Sequence, residues 1–221
     1  MESSGNSLAG GAFGFLLEAI ATHNGAPATG LIALAGTVLG SRAVAAVAEE
    51  RGRRASVALK AAERISGLTR EQLDDLIADD PRTISLTIRL LQAAGNSGEE
   101  SVLIMIGALA GAGYKEPDTA QRQETLLLAI EGLTAGHVNM LAVLEREQTG
   151  PAMRFEPPQI AAWLAESEDV VRMLGMGLLS RGLIETPFGG FGGGTVYELS
   201  ELGREVIGTA RELDKPSSGH A

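Results

Sequence analysis

The side chains able to do chemistry in this chain are few and widely spaced. Its three histidines, His23, His137 and His220, lie far apart, and none has a cysteine or carboxylate at metal-ligand spacing. His137 stands beside Val138 and Met140 and reads as a packed or half-exposed histidine. Two acidic pairs, Asp74-Asp75 and Asp79-Asp80, would suit acid–base or Mg²⁺ work, but Asp80 precedes Pro81 and has a local job as a helix cap. There is no cysteine, which removes thiol chemistry and disulfides together. The glycine-rich run 188–194 is not a phosphate loop, because no Gly-Lys-Ser/Thr follows it and it leads into a β-prone stretch. What it does carry is Phe188 and Phe191, aromatic side chains on a glycine-rich tip of the kind that marks a partner surface. No nucleophile, base or metal set can be assembled from these residues, so the expectation is a non-enzyme that needs no metal and no cofactor.

The elements that position these residues are helices with strong start signals. Thr69 with Gln72 and Ser97 with Glu100 fit capping boxes, Asp80-Pro81 places a cap before proline, and Asp118 with Gln121 repeats the device. Between the caps run apolar stripes: Leu73, Leu76 and Ile77; Ile84, Ile88 and Leu91, widened by Leu86 and Leu90; Leu103, Ile104, Ile106 and Leu109; Leu126, Leu127 and Ile130. Short links join them, which predicts a helical array over residues 69–131. The last third has a different order. Residues 158–165 make a short helix, Ser167 starts a second that ends at Arg181-Gly182, and Leu183-Ile184-Glu185 is extended. After the glycine run, Val196-Tyr197-Glu198-Leu199 pairs back before Ser200 caps a final helix.

The order and spacing of Leu133-Thr134, Gln159-Ile160-Ala161, Arg181 to Glu185 and Tyr197 to Gly203 resemble the MarR- and PadR-like winged helix-turn-helix proteins of bacteria. The resemblance covers a little over a third of the chain. It implies that residues 134–145 pack behind, 158–165 support, 168–181 enter a DNA major groove and 183–199 form the wing. The first half is similar only in general look to bacterial helical proteins of no assigned activity. The fold class expected is therefore mainly α: an N-terminal helical array followed by a winged-helix domain with one small β-hairpin. The domains expected are an apolar hairpin and long basic helix over 1–68, the array over 69–131, the winged helix over 133–213 and a tail over 214–221.

Charge divides the functional readings. DNA docking needs several Lys or Arg side chains on one face. Residues 133–213 hold 6 Arg, no Lys and 11 Asp plus Glu, a net of −5, and the presumptive reading helix opens on Ser167-Glu168-Asp169. Arg172 and Arg181 are the cations left for phosphate. The whole chain, 221 residues with a net charge of −10, is acidic as well. One reading is thus a transcriptional regulator or DNA-associated factor touching DNA through Arg172. The other is a protein-interaction scaffold using the acidic winged helix, with Ser167, Glu168, Phe188 and Phe191 at the contact.

The N-terminal region adds a third reading. An apolar segment from Phe13 to Ile20 and an uncharged one over residues 26–41 fall short of the ~20 residues a membrane span needs. Gly36 and Gly40, four apart, allow close helix approach, so self-association through the N-terminal helices is expected. Residues 42–70 carry 7 basic and 3 acidic side chains, net +4, with Arg51, Arg53 and Arg54 as candidates for contact with an anionic surface. Residues 8–48 could thereby associate with a membrane. Met1-Glu2-Ser3-Ser4-Gly5 lacks the basic start of a signal peptide, and a cytoplasmic location is the expectation.

Overall fold

The computed structural model describes residues 41–148, 154–187 and 195–214, with side chains from residue 45 onward. Among the described residues the protein is mainly α, with one small antiparallel pair of strands near the C-terminus. The helices are α1 (Ser41–Ser66), α2 (Arg70–Asp79), α3 (Pro81–Asn96), α4 (Glu100–Lys115), α5 (Ala120–Ile130), α6 (Ala135–Glu147), α7 (Pro157–Leu164), α8 (Glu168–Ser180) and α9 (Glu201–Arg211). The strands are β1 (Ile184–Glu185) and β2 (Glu198–Leu199). The chain divides into two units between Arg53 and Arg54, and the core over residues 55–213 belongs to the second.

Helix α4 organises that core. Its sequence is apolar all round, and such a helix is stable in water only when wrapped by others. Val102, Leu103, Met105, Ile106, Leu109 and Tyr114 are all buried, and α3, α5, α6 and α9 pack on it. The second half of α1 comes closer still. A Cβ built at Gly107 would run into the carbonyl oxygen of Ala58, and one at Gly111 would lie 2.6 Å from that of Ala62. The glycines thus admit a backbone, with Ala58, Ala61 and Ala62 as the matching small residues.

The caps decide where the helices begin. Thr69 accepts from the Gln72 N–H while the Gln72 side chain accepts from the Thr69 N–H, the reciprocal pair expected. Asp80 accepts from the Arg82 N–H at 2.9 Å ahead of Pro81. The other two predicted caps are not formed. Helix α4 starts after Glu99, and Ser97 turns inward, buried at the end of α3. Asp118 lies in a 3₁₀ turn (Pro117–Thr119) and pairs with Arg82 at 2.6 Å instead of capping α5. In both places a tertiary contact, burial for Ser97 and the Arg82 guanidinium for Asp118, takes the side chain that the local pattern assigned to a cap.

The C-terminal third follows the predicted order. Thr134 precedes α6, Glu156 precedes α7 and donates its N–H to the Gln159 side-chain oxygen at 2.9 Å, and Ser167 caps α8 by accepting from the Val170 N–H. Helix α8 stops at Gly182, whose φ of +70° is the left-handed conformation that favours glycine. Leu183 then leaves toward β1, and β1 pairs with β2 in the register Ile184↔Leu199 and Glu185↔Glu198. A further bridge, Phe155↔Tyr197, ties the segment before α7 to the same sheet edge. Ser200 accepts from the Gly203 N–H at 2.9 Å and donates to the Gly182 carbonyl at 2.6 Å, fixing α9 on the strand pair.

One hydrophobic cluster runs without a break from Ala58 through α3, α4 and α5 into α6, α8 and α9. Further contacts join the helices before residue 132 to the C-terminal third. Arg181 donates to the Glu131 carbonyl at 2.8 Å, Arg122 pairs with Glu205 at 2.6 Å, and Leu213 packs on Ala61 and Ala108.

Candidate functional site

Helix α8 is the element that the winged-helix order would present to a partner. Its inner face is fixed by Val171, Leu174 and Leu178, all buried, and by Gly175, which makes room for the Tyr197 ring. Burial raises the Tyr197 phenol above its usual pKa. Since α-helical residues three and four apart share a face, the outward face is the complement: Asp169, Arg172, Met173, Met176 and Leu179. All five are exposed; Met173 and Met176 keep 60% and 64% of their surface in solvent, and Leu179, at 40%, is the most covered of the three apolar ones. Two methionines and a leucine facing water on one helix is an apolar stripe that the fold does not use.

The charges around it are nearly all accounted for. Ser167 sits at the cap, exposed, and Glu168 in the first turn is exposed and 3.6 Å from Arg172. Each of the six arginines of the module has a partner. Arg146 is on Glu147, Arg154 and Arg204 share Glu198, Arg172 is on Glu168 and Arg211 is on Glu145. Arg181, the second cation named for phosphate, is half-buried and donates to the Glu131 carbonyl at the end of α5. Surface ion pairs are weak and exchangeable, but the deficit of cations is not: the described outer face of α8 has one arginine against two carboxylates in its first turn.

No family model, curated protein or solved structure matches this chain.

The other candidates fall in three places. Phe188 and Phe191, and likewise Gly36 and Gly40, lie outside the described residues. Arg51 and Arg53 are exposed on α1, with Arg53 in a two-point pair with Glu50 at 2.8 Å, while Arg54 is half-buried and donates to the Gly95 carbonyl at 3.3 Å. Residues 8–48, the proposed membrane contact, are described only in part. Among the described residues no single helix is long and apolar enough to cross a membrane. None of the described His, Asp and Glu side chains group in threes that could hold a metal ion.

His137 and Tyr114 have local roles. The His137 Nδ1 accepts the Thr134 N–H at 3.2 Å and lies 2.8 Å from the Thr134 hydroxyl, which caps α6 and places the ring proton on Nε2. Burial first, and the nearby Arg181 charge second, lower its pKa. Tyr114 lies in the core against Thr87 at 2.7 Å, and because the Thr87 hydroxyl already donates to the Thr83 carbonyl, the phenol is the donor of that bond. Burial pushes Tyr114 up to about 12, so it stays protonated.

The apolar stripe escaped the sequence reading because α8 is apolar on both faces. Met173, Met176 and Leu179 recur at intervals of three, and Val171, Leu174 and Leu178 at three and four; both suit a helix face, and periodicity alone does not say which set faces in. The one signal was Asp169 and Arg172, which share the stripe of Met173 and Met176 and mark it as the solvent side.

Proposed function

We propose that the C-terminal third is a winged-helix module of the MarR- and PadR-like kind in architecture, and that it works without catalysis by binding another protein through the outer face of α8. The supporting observation is that face itself: Met173, Met176 and Leu179 exposed together beside Glu168 and Asp169. Exposed large apolar side chains in a continuous stripe mark a contact surface, and methionine adapts to varied partners. Carboxylates in the first turn repel phosphate, which tells against the competing reading of a DNA-binding regulator. A fold of this type does not by itself decide between the two.

A photo-crosslinking amino acid at position 176 tests this in cells. The expected adduct is destroyed by protease and untouched by nuclease, and replacing Met173 and Met176 by alanine should weaken the complex by about 2 kcal/mol or more if they are buried anchors. If the wing tip contributes, replacing Phe188 and Phe191 should weaken it further. A nuclease-sensitive adduct, together with low-salt DNA binding that Arg172→Ala abolishes, would instead establish the regulator.

A further inference from the structure

We infer that the partner of this face is a basic amphipathic helix, which lays apolar side chains along Met173, Met176 and Leu179 and sets Lys or Arg against Glu168 and Asp169. The inference rests on the reading of the module as a protein-contact unit. At 1.5 Å per residue the thirteen residues of α8 present a ridge about 20 Å long. That ridge is polarised. Its first turn carries Glu168 and Asp169, with Glu166 just before; Arg172 follows, 3.6 Å from Glu168, leaving the acidic end with three carboxylates to one cation, and the later turns carry the exposed apolar side chains. A second helix, with apolar residues at i, i+3 or i+4 and i+7, is the shape that seats on such a ridge.

Charge selects among the occupants. A nucleic-acid duplex and an anionic bilayer both meet the carboxylates of the first turn with like charge. A second copy fares no better. In an antiparallel pair centred on Met176, which sets Met173 against Leu179, the acidic first turn of each copy meets the carbonyl end of the other's α8, where the helix dipole is negative and Arg181 is turned inward onto the Glu131 carbonyl. A parallel pair sets Glu168 beside Glu168, and each whole chain already carries a net charge of −10. A partner with cations at one end and apolar side chains along the rest satisfies both parts of the ridge.

The test uses the full chain and two fluorescein-labelled synthetic helices with identical leucine spacing, one with lysine and one with glutamate at every other position, read by anisotropy at physiological salt. The lysine peptide is expected to bind at least ~10-fold more tightly than the glutamate peptide. Met173→Gln with Met176→Gln should weaken the lysine peptide ~10-fold or more. Glu168→Gln with Asp169→Asn should weaken it several-fold and flatten its salt dependence. Leu179→Ser provides a second variant of the stripe should the double substitution lower the melting temperature. Equal binding of the two peptides, no binding of either, or lysine-peptide binding indifferent to all stripe variants would overturn the inference, the last because it reports only diffuse attraction to an acidic chain. A cross-linked protein whose contact segment lacks cations would also overturn it while leaving the protein-contact reading intact, whereas a nuclease-sensitive adduct removes both.

Discussion

His137 sits where a cap, partial burial and a guanidinium all favour the same protonation state. Its Nδ1 must be unprotonated to accept the Thr134 N–H, and both burial and Arg181 hold its pKa below the ordinary histidine value. The unfolded chain therefore takes up the proton first as the pH falls. The stability contributed by the neutral ring is present above the unfolded value of ~6.5 and is lost as the pH drops through the lower folded value. His137→Gln offers an acceptor at the same capping position without a titration. Thermal melts at pH 7.5 and 5.5 should show a larger loss for the wild type than for this variant. Equal losses would mean that the carboxylates alone set the acid sensitivity. The spacing of Thr134 and His137 is visible in the sequence, where His137 reads as a packed or half-exposed histidine; its capping role does not show there because it is Gln or Glu, and not His, that signals a capping box.

Among the elements, Gly107 of α4 and Gly208 of α9 stand in opposite surroundings. Gly107 gives its space to the α1 backbone, whereas Gly208, exposed in α9, has nothing within 4 Å of its would-be Cβ. Gly107→Ala should therefore cost about 2 kcal/mol or more through forced separation of two helices. Gly208→Ala should stabilise by about 0.5–1 kcal/mol through the lower entropy of the unfolded chain. Urea denaturation of both variants checks the pair, and a neutral Gly107→Ala would show that α1 packs more loosely than its carbonyl contacts require. The small-xxx-small spacing read at Gly36 and Gly40 recurs at Gly107 and Gly111. Within an apolar run the second instance reads as ordinary core, since the pattern records residue size but not which neighbour approaches.

At the scale of the whole molecule, the helical array and the C-terminal module share one core from Ala58 to Ile207, and Arg181, Arg122 and Leu213 reach across their border. Trp163, on α7, packs edge-on to Phe155 at 5.1 Å and reports on the module alone, while far-UV circular dichroism is dominated by helices of both parts. The two signals should change together in one urea transition with a common midpoint. Separate midpoints would show that residues 69–131 and 133–213 fold as independent domains. Arg181→Ala, which removes the tie to the Glu131 carbonyl, is the variant expected to move the two midpoints apart first.

Local chemistry determined much of this protein without reference to the fold. Thr69, Asp80, Ser167 and Ser200 each cap the helix they announce, Gly182 ends α8, and the two β-prone stretches pair as their position around the glycine run requires. These features are set by hydrogen bonds and dihedral limits within a few residues, so a linear pattern contains them. Tertiary structure alone decided what depends on residues distant in the chain: that Arg181 turns inward to Glu131, that Ser97 is buried and Asp118 answers Arg82, and that Phe155 joins the sheet through Tyr197. It also decided which apolar side chains of α8 meet the core, the sequence offering only Asp169 and Arg172 as marks of the outer side. Periodicity counts hydrophobic side chains but carries no vector toward the rest of the molecule, and only packing against α6, α7 and Tyr197 leaves Met173, Met176 and Leu179 facing water.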